Sequence, residues 1–192
     1  AGIEFDSGFS EGKDFIELTS ESPRPRLIKT HELREDLAAS ASFVFTTRRD
    51  LRNAVASAVR RDFYLLEAFR GPVYYANYNR RLHDQWRIHS WFEFVYEDFI
   101  GDRRRTIEQV GRVLGFEHVD SESILQKVDN IPQDRYEETL LRPSHITDPE
   151  RKLNFEDTLK VHEIRRIEQH NHAWLARFDY LQSPPLADRL NE

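Results

Sequence analysis

Two short segments of this chain carry side chains whose types and spacing could do chemistry. The first is Arg26-Leu27-Ile28-Lys29-Thr30-His31, a run that reads as a strand ending in a polar cluster. Residues two apart on a strand face the same side, so Lys29 and His31 project together. A neutral imidazole near its ordinary pKa removes a proton from an alcohol, and a neighbouring ammonium stabilises charge on an oxyanion. The bland alternative is a surface histidine beside a solvated lysine. The second segment runs from Arg49 to Ser57. Arg49 falls in a strand-to-helix turn, and Asp50, Asn53 and Ser57 share one helical face at i, i+3 and i+7. A helix start with a flanking arginine suits a phosphate, and a serine two turns in adds a hydroxyl donor. The alternative here is an aspartate cap with a charged flank.

Other groups carry less. Glu97 and Asp98 are adjacent and, on a strand, would face opposite ways, so they cannot share one site. His162, His170 and His172 with Glu163 show no i, i+4 ligand pair, and no metal site is expected. Tyr74, Tyr75, Tyr78 and Trp86 line either an acceptor pocket or a core. His145 falls in an expected loop over 143–155.

The elements that must position these residues follow from periodicity. Strands are expected over 26–31, 42–47 and 91–96, and a short one at 15–18. Helices are expected over 32–41, from Asp50 through Leu51, Val55, Val59 and Phe63, over 73–89, over 106–114 with a stop at Gly115, over 121–128, and over 157–178. Strands alternating with helices imply an α/β fold with a mostly parallel sheet flanked by helices. Ligands in such sheets bind at the carboxyl ends of the strands. That rule places Lys29-Thr30-His31, Arg48-Arg49-Asp50 and Glu97-Asp98 along one edge.

The 192 residues fit a single domain over 1–192, with 1–22 a poorly defined N-terminal segment. No Cys is present, which excludes disulfides, thiolate metal sites and cysteine nucleophiles. The net charge of -6 argues against nucleic acid as a partner. No stretch approaches the roughly 20 apolar residues of a membrane span, and nothing targets the chain out of the cytoplasm. Only five of the 28 basic residues are Lys, and the Arg excess suits planar anions such as phosphate.

Taken in order, these segments resemble the sulfotransferase family. Residues 26–31 after Pro23 and Pro25 are similar to its strand ending in Lys-Thr-His, and 43–57 to its strand and helix that bind the 3′-phosphate of the sulfate donor, with Arg49 and Ser57 at the family's separation. Phe94-Val95-Tyr96-Glu97-Asp98-Phe99 is similar to its Tyr-Glu-Asp-Leu strand, Thr106-Ile107 through Val113-Leu114-Gly115-Phe116 to the helix after it, and 170–181 to its last helix with an aromatic ending. The resemblance spans most of residues 23–181.

The resemblance implies a P-loop-NTPase-like sulfotransferase fold. It implies transfer of a sulfuryl group from 3′-phosphoadenosine-5′-phosphosulfate to a hydroxyl or amine of a small-molecule or glycan acceptor, without a metal. His31 would be the general base, Lys29 would stabilise the transferring group, and Arg49 and Ser57 would bind the 3′-phosphate. Arg151 and Lys152 fall near the family's Arg-Lys-Gly loop but lack its glycine. Leu51 and Asn53 stand at the family's usual Pro and frequent Asp. Its Pro-Lys-Ser-Gly-Thr-Thr-Trp loop is absent here, and family spacing would place that loop upstream of Ala1, which would make the fold N-terminally incomplete and leave the activity of this chain on its own an open expectation. The rival readings are a non-catalytic relative that keeps the fold for binding or assembly and, last, a kinase, which would lack its own phosphate loop and a magnesium-binding Asp pair.

Overall fold

A computed structural model of the chain describes residues 6–9, 26–60, 70–130 and 154–181. These form a mixed α/β structure, mostly helical, with short parallel strand pairs. In chain order they are β1 (Asp6–Phe9), β2 (Arg26–Lys29), α1 (Glu35–Ser40), β3 (Phe45–Arg48), α2 (Leu51–Arg60), α3 (Pro72–Arg87), β4 (Phe92–Val95), α4 (Tyr96–Gly101), α5 (Arg103–Val113), α6 (Ser121–Asp129), a 3-10 turn (Phe155–Asp157) and α7 (Val161–Arg177). The expected strand at 15–18 and loop residues 143–153 lie outside the described residues.

The sheet differs from the expected one. β2 pairs with β1, Asp6 opposite Arg26 and Phe9 opposite Lys29, whereas β3 pairs with β4, Phe45 opposite Phe92 and Arg48 opposite Val95. No ladder joins the two pairs among the described residues. Exposure along β2 gives the reason: Leu27 is 60% exposed and Lys29 is exposed, while Ile28 is half-buried. A strand open to water on one face is not the doubly covered central strand of a parallel sheet.

The β3–β4 pair has two unlike faces. Phe45, Phe92 and Phe94 stack edge to face on one, with ring centroids 4.9–6.4 Å apart. Thr46, Arg48 and Glu93 occupy the other, which lies towards α3. The apolar core sits beside this polar face, between helices: Leu51, Val55 and Ala56 of α2, Val73 and Ala76 of α3, and Ile164, Ile167, Trp174 and Leu175 of α7, with Leu159. Each large side chain fully buried there contributes about 1.5–3 kcal/mol.

Helix boundaries follow local chemistry. Asp50 caps α2 by accepting from the Arg52 N–H at 2.8 Å. Pro72 opens α3 after Gly71, whose φ of 106° a side chain would resist. Gly115 stops α5 at a φ of 84°, while the N–H groups of Gly115 and Phe116 donate back to Arg112 and Gly111. α7 is bent at Asn171, whose Nδ2 donates to the Ile167 carbonyl at 2.9 Å and displaces regular helix geometry. Its end repeats the glycine motif with an aspartate. Asp179 takes the left-handed conformation at a φ of 59°, and the Asp179 and Tyr180 N–H groups donate to Ala176 and Leu175. That reversal carries Tyr180 back beneath the helix.

Candidate functional site

The carboxyl ends of β3 and β4 meet in one polar network. From β3, Arg48 donates through Nε to Glu93 Oε2 at 2.7 Å and through a terminal nitrogen to the Tyr180 hydroxyl at 3.1 Å. Tyr180 donates its proton to Glu97 Oε2 at 3.0 Å, and Glu97 Oε1 accepts the Asp50 N–H at 3.0 Å. Asp50 is bonded by the Arg52 guanidinium, which also donates to Glu168 at 2.6 Å and to the Tyr180 carbonyl at 2.6 Å. Asp50 and Arg52 are 5% and 9% exposed, so these pairs are largely desolvated. A buried charge is tolerated when such bonds complete its valences. The cations are also covered by rings: Arg48 lies 4.2 Å over Phe178, and Arg52 lies 4.4 Å over Phe155.

His83 of α3 extends the network into the core. Its Nε2 lies 2.6 Å from Glu93 Oε1, and Trp174 Nε1 donates to its Nδ1 at 3.2 Å. Since Nδ1 accepts, the proton of the neutral ring belongs on Nε2, which donates to Glu93; this tautomer is assigned from the bonding pattern. Burial alone would raise the Glu93 pKa, but hydrogen bonds from Arg48 and His83 outweigh it and hold the carboxyl below its ordinary value. Burial, and then the negative charge of Glu97, push the Tyr180 phenol above its ordinary value. The hydroxyl therefore stays protonated and donates to Glu97.

The expected site residues take different places. Arg49 is half-buried on the β3–α2 turn, with its guanidinium 4.1 Å over the Tyr96 ring. Ser57 lies two turns into α2 and is 9% exposed. Between them on that helix, Asn53 Oδ1 is buried with no hydrogen-bond partner among the described residues. The start of α2 is already engaged by carboxylates: Glu97 takes the Asp50 N–H and Asp50 takes the Arg52 N–H. An anion here would therefore be met by Arg49 and the α2 side chains rather than by those two N–H groups.

Lys29 and His31 are exposed at the end of the other strand pair. Two side chains of α3 hold the turn after them: Tyr78 donates to the His31 carbonyl at 3.3 Å and Trp86 Nε1 to the Glu32 carbonyl at 3.2 Å. The aromatic stripe of α3 is thus divided: Tyr78 and Trp86 hold this turn, while Tyr75 packs against the core, to which the helix contributes Val73 and Ala76. Tyr74 is 56% exposed. Arg151, Lys152 and His145 lie outside the described residues.

Glu97 and Asp98 correct the sequence reading. They lie in the first turn of α4, a helix that the apolar run before it disguised as more strand. Glu163 caps α7 by accepting the Lys160 N–H at 2.8 Å, and His162, His170 and His172 are exposed. Among the described residues no group of three His, Asp or Glu side chains is placed to hold a metal, and no helix is long and apolar enough to cross a membrane.

Sequence reasoning missed His83, Glu93 and Tyr180 as site-building residues. The available signal was the offset α3 face of Val73, Ala76 and His83, at i, i+3 and i+10, which the more conspicuous aromatic stripe concealed. Compared with protein-family models, curated proteins and solved structures, the chain has no match.

Proposed function

We propose that the chain carries the donor-binding edge of a sulfotransferase-type domain with a P-loop-NTPase-like sheet. Its donor would be 3′-phosphoadenosine-5′-phosphosulfate, and its acceptor a hydroxyl or amine of a small molecule or glycan. The observation that carries this reading is Arg49, held on a strand-to-helix turn at the carboxyl end of a parallel pair, with Ser57 two turns into the following helix. A guanidinium held over a ring keeps its fork of donors oriented, which suits a phosphate. The donor supplies the activated sulfuryl group. Arg49 and Ser57 bind its 3′-phosphate, His31 takes the acceptor's proton, and Lys29 stabilises charge on the transferring group. No metal enters this chemistry.

A second reading, a binding module of the same fold without transfer, is favoured by two observations. Carboxylates occupy the Asp50 and Arg52 N–H groups at the start of α2, and Lys29 and His31 end a separate strand pair.

Calorimetric titration with 3′,5′-adenosine bisphosphate tests the donor site. Saturation at 100 times Kd raises unfolding stability by about 2.7 kcal/mol, and Arg49→Ala and Ser57→Ala weaken binding. No stabilisation at millimolar ligand would remove the donor reading. Given donor binding, His31→Ala separates the two functions: an enzyme loses transfer with donor affinity kept, whereas a binding module shows no transfer before or after the change.

A further inference from the structure

Two consecutive residues of α4 hold two consecutive residues of the β3–α2 turn. Tyr96 lies beneath the Arg49 guanidinium at 4.1 Å, and Glu97 accepts the Asp50 N–H at 3.0 Å. Tyr180 closes the arrangement from the far end of the chain. Its hydroxyl donates to Glu97 at 3.0 Å and accepts from Arg48 at 3.1 Å, while its carbonyl accepts from Arg52 at 2.6 Å. The residues on both sides of Arg49 are therefore bonded to one phenol or to the carboxylate that the phenol holds. The ring itself is fixed by stacking on Trp174, with centroids 5.9 Å apart and planes 15° apart, and its backbone by the left-handed Asp179.

We infer that Tyr180 and Glu97 are positioning residues for Arg49: the hydroxyl–carboxylate pair fixes the turn that aims its guanidinium. This rests on the donor reading for the identity of the anion, a 3′-phosphate, and on geometry alone for the clamp. Two carboxylates, Glu97 and Asp50, already take the Asp50 and Arg52 N–H groups and bring negative charge to the α2 start, so recognition of the anion leans on where Arg49 points. A turn held on both sides loses less freedom when it engages a ligand, which is how preorganisation raises affinity. Glu97 and Tyr180 bond the neighbours of Arg49, Asp50 and Arg48, so their effect must appear as a change in its aim.

Tyr180→Phe deletes the hydroxyl and keeps the ring stack and the carbonyl, making it the informative variant. Its first measurement is the Nε–Hε proton resonance of Arg49, assigned by its disappearance in Arg49→Lys and displaced in the wild type by the ring current of Tyr96. In Tyr180→Phe that resonance should move towards the value of an unstacked arginine. An unmoved resonance overturns the clamp whether or not a nucleotide binds. The second measurement is affinity for 3′,5′-adenosine bisphosphate, expected to fall about five-fold in Tyr180→Phe, the effect of one ordinary hydrogen bond.

Val73→Ala, a core substitution on α3, controls for loss of stability. It should lower the melting temperature at least as much as Tyr180→Phe and leave affinity unchanged. Equal weakening in both variants would make Tyr180 merely structural and overturn the proposal. If Arg49→Ala loses binding while Tyr180→Phe keeps it, the clamp fails and the donor reading stands. If the wild type does not bind the bisphosphate, the donor reading fails and the Arg49 resonance alone decides the clamp.

Discussion

The turn after β3 and the turn after β2 both present basic and polar side chains at the end of a parallel strand, yet they are held in opposite ways. Around Arg49, side chains from β3, β4, α2, α4 and the turn after α7 are joined by charged hydrogen bonds that are mostly shielded from water. Around His31, two α3 side chains hold two backbone carbonyls, and Lys29 and His31 are exposed. Anion recognition needs fixed geometry, because a fork of donors works only when aimed. On the proposed reading, His31 takes the acceptor's proton from a separate and more exposed segment, where it has room to adjust to its substrate. The division suits a protein that binds one partner rigidly and a second adaptably.

Arg52→Ala attacks the rigid half hardest. It leaves Asp50 and Glu168 without their shared cation in a site where Arg52 is 9% exposed, so unfolding stability should fall by about 3–5 kcal/mol. His31→Ala, on the exposed turn, should stay within about 0.5 kcal/mol. Urea denaturation of both variants checks the contrast, and comparable losses would erase it.

Glu93→Gln is next. It replaces the charged partner of Arg48 and His83 and should cost about 2 kcal/mol at neutral pH. Its pH dependence has a definite sign. The Glu93 carboxyl is held below its ordinary value in the folded chain, so the unfolded chain binds the proton more readily. The resulting stability is present above the unfolded carboxylate value, about 4.3, and is lost as pH falls through that value towards the lower folded one. Acid titration of stability should therefore be shallower in Glu93→Gln than in the wild type over that range.

Some of this arrangement was legible in the residues. Asp50 before an apolar four-residue period announces the cap and α2, and Gly115 after a periodic stretch announces the end of α5, because both signals are local. The pairing of β2 with β1 rather than with β3 was not legible, since partner choice depends on contacts distant in sequence. α4 was hidden because Phe94-Val95-Tyr96 continues a strand pattern, and only the carboxylates after it favour a helix start. Arg49 and Ser57 could be singled out by spacing. The residues that hold Arg49 could not, because Tyr180 reaches it from 131 positions away, and aromatic residues near a helix end usually read as core.

Asp179→Gly sharpens the comparison from the other side. Relieving a left-handed non-glycine should stabilise the chain by about 1 kcal/mol and leave Tyr180 in place. Thermal unfolding should show a rise, and a fall would mean that the Asp179 side chain itself supports the turn. Tyr78→Phe gives the smallest effect. Removing the 3.3 Å bond to the His31 carbonyl should cost about 0.5 kcal/mol and speed amide exchange at residues 31–33 without altering exchange at residues 49–52.

Chemical-shift mapping of the chain with 3′,5′-adenosine bisphosphate tests the central claim most directly, that the rigid edge is the donor-binding half. The account predicts perturbations concentrated at residues 48–57 and at Tyr96 and Glu97, with saturation, and their loss in Arg49→Ala. Perturbations centred on residues 29–32 instead, or a spectrum unchanged at millimolar ligand, would contradict it.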